Sequence, residues 1–282
     1  MRTFIKELVP ATLRPALGSA WWKLQHKYAT VKLFGREAAF VPPLSLMYDG
    51  PAGYKEFKEN GAECLKYYIE LCGLGPHEAI LDIGSGTGRK TLPLLGYLSE
   101  PGSYLGMEIV KSGVDWCQEK YAAFPNFKFQ EIDVYNELYN PQGTCKAAEY
   151  KFPLPDQQFD FVVLNSVFTH MMPDEVENYL SEISRVLKKG GRCLISFFLI
   201  NDESQTLIEA GVSSKDLKHK FGRARAVSES QPELAIGYEE DFVLDLYRRV
   251  GLEVRQPIPY GSWCGREHHL SYQDLVVGIK RG

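Results

Sequence analysis

The segment Ala79-Ile80-Leu81-Asp82-Ile83-Gly84-Ser85-Gly86-Thr87-Gly88-Arg89 decides the fold. It predicts a buried strand that runs into a glycine turn and then into a helix. Residues 79–83 form a short apolar run of the kind found in the central strands of parallel sheets. The glycines that follow allow a sharp turn and a close approach of a ligand to the backbone. The next segment, Thr91 to Leu98, is apolar enough for a packed helix, with Pro93 in its first turn.

The spacing of the glycines separates two classes of cofactor loop. Dinucleotide-binding loops follow the pattern G-x-G-x-x-G, but Arg89 occupies the place of the third glycine here. The glycines instead follow G-x-G-x-G, and Asp82 lies two residues before the first of them. The sequence has no G-x-x-x-x-G-K-[ST] segment, which excludes a P-loop. A tight turn without a ligand is the alternative, but the acid, strand and helix around the turn favour a cofactor site.

Length and composition predict an ordinary globular protein. The chain has 282 residues, 44% of them hydrophobic and 24% charged, which allows one large domain with additions or two small ones. The longest apolar run, Cys193 to Ile200, is too short to span a bilayer, and no signal peptide is evident. Six scattered cysteines form no C-x-x-C pair, so we expect free thiols, no metal site and a cytoplasmic location.

The net charge of −4 hides an asymmetry. Residues 1–36 carry a charge of +6 and the remainder carries −10, which argues against a nucleic-acid partner. We interpret residues 1–53 as a basic helical N-terminal extension and lid. A weak contact of residues 1–36 with an anionic membrane surface is one alternative, through Trp21 and Trp22. Packing on the domain is favoured, because Pro10 and Pro15 interrupt a long amphipathic helix.

Acidic residues follow the next two predicted strands. The second strand, Ser103 to Ile109, includes Glu108, and a carboxylate there can accept hydrogen bonds from both hydroxyls of a ribose. Glu108 lies 24 residues after Gly84, close to the ~20 expected of a nucleotide-binding unit. Asp133 follows the third strand, Phe127 to Gln130; a solvated turn aspartate is its alternative role.

The rest of the chain continues the alternation of strands and helices. Asn165, Ser166 and His170 follow the fourth strand, Phe159 to Leu164, at the edge where open α/β sheets place ligands. The remaining predicted elements are helices at Glu175–Leu187 and Tyr238–Val250 and strands at Arg192–Ile200, Leu252–Ile258 and Ser271–Lys280. Residues 201–236 interrupt the pattern, either as a cap insertion over the site or as a solvated excursion.

These features, in this order, resemble the class I S-adenosylmethionine (SAM)-dependent methyltransferases over about residues 60–200. The resemblance rests on Asp82 with the glycine loop, Glu108, Asp133, Phe159-Asp160 and the turn Leu187–Gly191. The resemblance implies an α/β, Rossmann-like seven-stranded sheet of order 3-2-1-4-5-7-6, with strand 7 antiparallel and helices on both faces. The methyltransferase domain would span residues 54–282.

The resemblance also implies SAM as the cofactor. In this family the glycine loop wraps the methionine part, the acid before it helps to hold the amino group, and an acid after the third strand pairs with the adenine. The expected cofactor residues are Asp82, Gly84, Ser85, Gly86, Gly88, Arg89, Glu108, Ile109, Asp133, Val134, Asn165 and Ser166.

The acceptor side is less explicit in the sequence. The family fold places the connection between strands 6 and 7 on the cofactor side, so Trp263 and Arg266 are expected to face a substrate, with Tyr48 as a lid residue. A histidine is suited to act as a base near neutral pH. His170 is the first candidate, followed by His268 and His269.

The leading hypothesis is methyl transfer to a hydroxyl of a small molecule, such as a glycan or natural product. Two alternatives stay open: N- or C-methylation of a metabolite or quinone-like lipid, and a non-catalytic SAM-binding module that serves a partner.

Overall fold

The computed structural model describes residues 37–50 and 53–282. The predicted helices and membrane-surface contact of residues 1–36 lie outside the described residues. The helices are α1 (Tyr54–Glu70), α2 (Lys111–Lys120), α3 (Pro173–Val186), α4 (Asp202–Glu209) and α5 (Glu240–Arg249). The strands are β1 (Ala79–Ile83), β2 (Ser103–Glu108), β3 (Phe127–Glu131), β4 (Phe159–Leu164), β5 (Leu187–Phe197), β6 (Leu199–Ile200), β7 (His219–Phe221), β8 (Ala224–Ala226), β9 (Ile236–Glu239), β10 (Leu252–Val254) and β11 (Asp274–Lys280).

The main sheet has seven strands in the order β3-β2-β1-β4-β5-β11-β10. Strands β1 to β5 run parallel, whereas β11 is antiparallel to both β5 and β10. The predicted seven-stranded topology is therefore confirmed, including the antiparallel last strand. The strand order reverses between β1 and β4, and ligands of open α/β sheets bind at such a switch point.

Helices cover both faces of this sheet, because the central strands are apolar on both sides. Leu81 of β1 belongs to the core that includes α3 and α5, and its neighbour Ile80 belongs to the core that includes α1 and α2. Alternate residues of a strand point to opposite faces, so one short run supplies both cores.

Several predicted elements differ in the structure, including the sixth strand, which ends at Val254 instead of Ile258. The apolar segment after the glycine loop is a short 3-10 helix, Leu92–Gly96, with Pro93 in its first turn. Such 3-10 turns are common in short connectors. The fifth strand begins at Leu187 instead of Arg192, so the segment predicted as a turn is the start of β5.

Residues 201–235, called the cap below, are a folded insertion. Their helix α4 is capped by the preceding Asn201, whose side chain accepts a hydrogen bond of 3.0 Å from the backbone N–H of Ser204. Strands β7 and β8 extend a second sheet of order β6-β9-β8-β7. No helix in the described part of the chain is both long and apolar enough to cross a membrane.

Candidate active site

A cavity of about 640 Å³ lies at the carboxyl ends of β1, β2 and β4. Its volume lies within the usual range for ligand pockets. The glycine loop and the strand ends form one part of its wall, and the cap forms another. The predicted site residues that line it are Tyr48, Gly84, Gly86, Arg89, Glu108, Ile109, Val134, Asn165, Ser166 and His170.

The glycine loop brings bare backbone to the cavity. Gly84 and Gly86 have positive φ angles of 77° and 57°, a region that residues with a Cβ rarely adopt. A Cβ on Gly84 would collide with the Val167 side chain, and one on Gly86 would collide with the Asp49 carboxylate. Glycine is therefore required at both positions by conformation and by space.

Glu108 is fixed at the end of β2 by three backbone donors. Its carboxylate accepts hydrogen bonds from the N–H groups of Gly86 at 2.7 Å, Ile109 at 2.8 Å and Val110 at 2.9 Å. Burial raises the pKa of Glu108, while these backbone hydrogen bonds lower it. A carboxylate has about four lone-pair sites, so this one retains capacity for a ligand hydroxyl.

Asp82 lies beneath the glycine loop and is fully buried, and it does not line the cavity. Its Oδ2 accepts a 2.8 Å hydrogen bond from the Tyr104 hydroxyl, and its Oδ1 lies 3.9 Å from Nζ of Lys90. Lys90 in turn donates to the carbonyl oxygen of Gly84 at 2.9 Å. Asp82 thus positions the loop through Lys90. Ser85 and Gly88 likewise lie behind the cavity wall.

Asp133 is exposed and also lies outside the cavity wall. Its carboxylate accepts hydrogen bonds from the backbone N–H and the hydroxyl of Thr144, which lower its pKa. In the structure it therefore holds the loop of residues 135–145, and its neighbour Val134 faces the cavity.

Residues 47–50, called the strap below, pass over the glycine loop. The Asp49 carboxylate accepts a 3.1 Å hydrogen bond from the Thr87 hydroxyl, and the Asp49 carbonyl accepts one from Arg89. The Tyr48 ring lies 6.5 Å from the ring of Tyr139, on the loop of residues 135–145. The Tyr48 hydroxyl is buried without a hydrogen-bond partner among the described residues. The strap thus closes one end of the cavity.

His170 lies just after β4 and is held from two sides. Its Nδ1 lies 2.7 Å from the carbonyl oxygen of Glu233, and the Tyr139 ring packs edge-on with centroids 5.7 Å apart. Because a carbonyl oxygen can only accept, Nδ1 carries the proton and Nε2 presents a lone pair. Burial lowers the pKa of His170, and the positive charge of Lys215 lowers it further.

Residues 81–195 match a protein family described as a methyltransferase domain. The matched segment runs from β1 into β5 and contains the glycine loop, Glu108 and His170. The chain contains a class I SAM-dependent methyltransferase domain. The cofactor of this domain is SAM, and the predicted family is confirmed.

Solved structures of low sequence identity share the fold of the methyltransferase domain. The PH0226 protein of Pyrococcus horikoshii OT3 is similar with a TM-score of 0.56 and 17% identity, covering 87% of this chain and 99% of that one. Magnesium protoporphyrin IX methyltransferase of Synechocystis PCC 6803, solved with bound SAH, is similar with a TM-score of 0.51 and 15% identity, covering 92% of this chain and 99% of that one.

Curated relatives match parts of the chain. The tRNA N(3)-cytidine methyltransferase METTL2 of Gallus gallus is 25% identical over 194 residues, which are 66% of this chain and 46% of that protein. The ubiquinone/menaquinone biosynthesis C-methyltransferase UbiE of Azotobacter vinelandii is 31% identical over 137 residues, 47% of each protein. The chain thus spans about half the length of the curated relatives it matches.

Four residues that were predicted to lie on the acceptor side of the site lie outside the cavity wall. Trp263 is fully buried and donates to Asp274 at 2.7 Å, and Arg266 pairs with Asp274 at 3.0 Å. Neither lines the cavity, so the expectation that they face the substrate does not agree with the structure. The buried Asp274 carboxylate draws both side chains into the core. His268 and His269 are exposed and also lie outside the wall.

Sequence reasoning missed several residues of the cavity. They line it together with the predicted Ser166, which has a positive φ of 61° and is joined to Ser196 and Gln273 by hydrogen bonds of 2.7 Å. Glu175 faces the cavity from the first turn of α3, and burial raises its pKa to about 7. Lys215 reaches the cavity from the cap. The acid at the start of a predicted helix after β4 was a usable signal for Glu175, whereas nothing local marks Lys215.

Proposed function

We propose that this protein transfers the methyl group of SAM to a hydroxyl of a small-molecule acceptor, with His170 as the general base. SAM, when bound, supplies an electrophilic methyl carbon. The residues that would hold it are the glycines of the loop together with Glu108, Ile109, Val134, Asn165 and Ser166, which surround the cavity. The fit is supported by the bare backbone at Gly84 and Gly86 and by the fixed carboxylate of Glu108.

The observation that carries the proposal is the hydrogen bond between His170 Nδ1 and the Glu233 carbonyl oxygen. It fixes the tautomer in which Nε2 can accept a proton, on a residue that lines the cavity. Burial lowers the pKa of His170, so its imidazole is neutral and able to act as a base near pH 7. A hydroxyl acceptor requires such a base, because its oxygen must lose a proton during methyl transfer.

The cap limits the size of the acceptor that the cavity can hold, which favours a glycan unit or a natural product. It covers the cavity with Lys215, Leu234 and Ala235. Two other basic residues of the cap are paired with acids: Lys218 lies 2.7 Å from Asp216, and Arg223 lies 2.6 Å from Asp241. These pairs break up the continuous positive surface that a nucleic acid requires.

A second candidate is methylation of a tRNA base, which the similarity to METTL2 favours. The similarity to UbiE likewise keeps a carbon acceptor open. A base as acceptor would have to leave its stack and enter the cavity. The chain spans about half of METTL2, so the similarity bears on the methyltransferase domain more than on the recognition of tRNA.

The test is methyl transfer from radiolabelled SAM to a panel of small hydroxylated acceptors and, separately, to total tRNA. With a hydroxyl acceptor, His170→Ala should lower kcat by ~10²–10⁴-fold and leave the SAM affinity nearly unchanged. His219→Ala, in the cap outside the cavity, is the control. Because the pKa of His170 is lowered from 6.5, the acid limb of the kcat profile should lie below pH 6.5.

Full turnover of His170→Ala on a hydroxyl acceptor would remove the base assignment. Label in tRNA, and in none of the small acceptors, would favour the second candidate.

A further inference from the structure

The far end of the cavity has a composition of its own. It is bounded by Phe198, by the cap and by the connection from β10 to β11, and its lining residues there are Phe198, Lys215, Leu234, Ala235, Ser271, Tyr272 and Gln273. The surface combines apolar, aromatic and neutral polar side chains with one basic side chain. Such a surface suits a ligand with an apolar body and a single charged group.

Lys215 is the basic residue at this end, and its loop is ordered. The Ser213 hydroxyl donates to the Lys215 carbonyl oxygen at 2.8 Å and accepts from its backbone N–H at 3.1 Å. The backbone N–H of Ser214 donates to the carbonyl oxygen of Trp263 at 3.0 Å. The buried Trp263, which is itself held by Asp274, therefore anchors the loop that carries Lys215.

The three basic residues of the cavity wall differ in their partners. Lys90 donates to the Gly84 carbonyl oxygen near Asp82, and Arg89 donates to the Asp49 carbonyl oxygen. Within residues 37–50 and 53–282, no acidic side chain forms an ion pair with Lys215. The charge of Lys215 is therefore available to a ligand.

Thr169 supplies a second group beside His170. It is fully buried and lines the cavity, and its hydroxyl has no hydrogen-bond partner among the described residues. A buried hydroxyl without a partner is costly, and a ligand oxygen would satisfy it. Lys215 and His170 line the same cavity, and the positive charge of Lys215 lowers the pKa of the imidazole.

We propose that Lys215 and Thr169 bind an anionic group of the acceptor, a carboxylate or a phosphate, and thereby bring its hydroxyl to His170. This inference rests on the proposed function and adds the charge class of the substrate. Two acidic side chains nearby are already engaged by other hydrogen-bond donors. The Glu175 carboxylate accepts from the backbone N–H of Met172 at 2.7 Å, and that of Glu233 accepts from Asn136 at 2.8 Å.

The experiment uses the full chain loaded with SAH and follows the pKa of the His170 imidazole by NMR, with the signal identified by its loss in His170→Ala. Benzoate and inorganic phosphate are titrated separately at constant ionic strength, with benzamide as the neutral match of benzoate. An anion bound at Lys215 offsets its charge, so the pKa of His170 should rise saturably with one or both anions and not with benzamide.

Lys215→Met should weaken the binding of that anion by at least ~10-fold, and Thr169→Val should weaken its binding less. Lys218→Met, which removes a neighbouring cap lysine paired with Asp216, should respond like the native protein. A response to benzoate alone would assign a carboxylate, and a response to phosphate alone would assign a phosphate.

No response to either anion in the native protein, or an unchanged response in Lys215→Met, would overturn the inference. The proposed function fails by a different measurement, the turnover of His170→Ala, so the two failures are distinguishable.

Discussion

The carbonyl oxygen of Glu233 lies 2.7 Å from Nδ1 of His170. The carboxylate of the same Glu233 accepts hydrogen bonds from the Asn136 side chain at 2.8 Å and from the Glu137 backbone at 3.2 Å. One residue of the cap therefore contacts both the histidine after β4 and the loop after β3. The orientation of the imidazole depends on the cap being in place.

Gly86→Val should abolish SAM binding. Its side chain would collide with Asp49, and its backbone would have to keep a φ of 57°. The control is Gly222→Ala in the cap, where φ is 60° and a Cβ would meet open space. Calorimetry with SAM and NAD checks both variants. Native SAM affinity in Gly86→Val, or equal binding of NAD to the native protein, would contradict the assignment of the loop.

Glu108→Ala should weaken SAM binding by ~1.5–3 kcal/mol, because a charge-assisted acceptor is lost. It should also lower the melting temperature, since the N–H groups of Gly86, Ile109 and Val110 lose their acceptor. Glu131→Ala, an exposed acid at the end of the adjacent β3, is the matched control. A SAM affinity of Glu108→Ala equal to that of the control would show that Glu108 does not contact the cofactor.

Most of the part of the cavity that would hold the cofactor could be predicted from local sequence signals. The strand Ala79–Ile83 agrees at both ends with its prediction, because an apolar run bounded by a glycine turn leaves few alternatives. The part of the cavity that would hold the acceptor could not be predicted in this way, because it depends on contacts between residues distant in sequence. Arg266 looks like a substrate ligand in the sequence, and only its ion pair with Asp274 shows that it belongs to the core. Lys215 carries no local signal, since its role depends on how the cap folds over the sheet.

Arg266→Ala should act on stability and not on the acceptor KM. The guanidinium pairs with the buried Asp274 at 3.0 Å and with Glu203 at 2.7 Å. Breaking a buried pair leaves an uncompensated charge and should cost ~3–5 kcal/mol. Arg281→Ala removes an exposed pair with Glu253 and should cost at most ~1 kcal/mol. Denaturant unfolding checks both values, and equal costs for the two variants would contradict this reading of Arg266.

Glu175 should make the protein less stable as the pH rises. Burial raises its pKa from 4.5 to about 7, so the folded state binds more protons than the unfolded state between these values. The stabilisation is fully present below about pH 4.5 and is lost as the pH rises through about 7. Glu175→Gln should therefore gain stability relative to the native protein between pH 5 and pH 8, as measured by melting temperature. Glu177→Gln, exposed on the same helix, is the control, and parallel profiles for all three proteins would refute the prediction.

The second sheet has a consequence for how this protein can diversify. The cap leaves the domain at β6 and returns at β9, and these strands are hydrogen-bonded neighbours, with Ile200 beside Glu239. Because the two strands run parallel, the cap leaves at the end of β6, beside Glu239, and returns at Ile236, three residues earlier in β9 and ~10 Å away along that strand. A single contiguous piece of the gene encodes the cap, which contributes Lys215, Leu234 and Ala235 to the cavity wall, and its two ends attach to neighbouring strands of one sheet. Exchange of this piece would replace that part of the cavity wall as one module, while the seven-stranded sheet and its glycine loop are inherited unchanged.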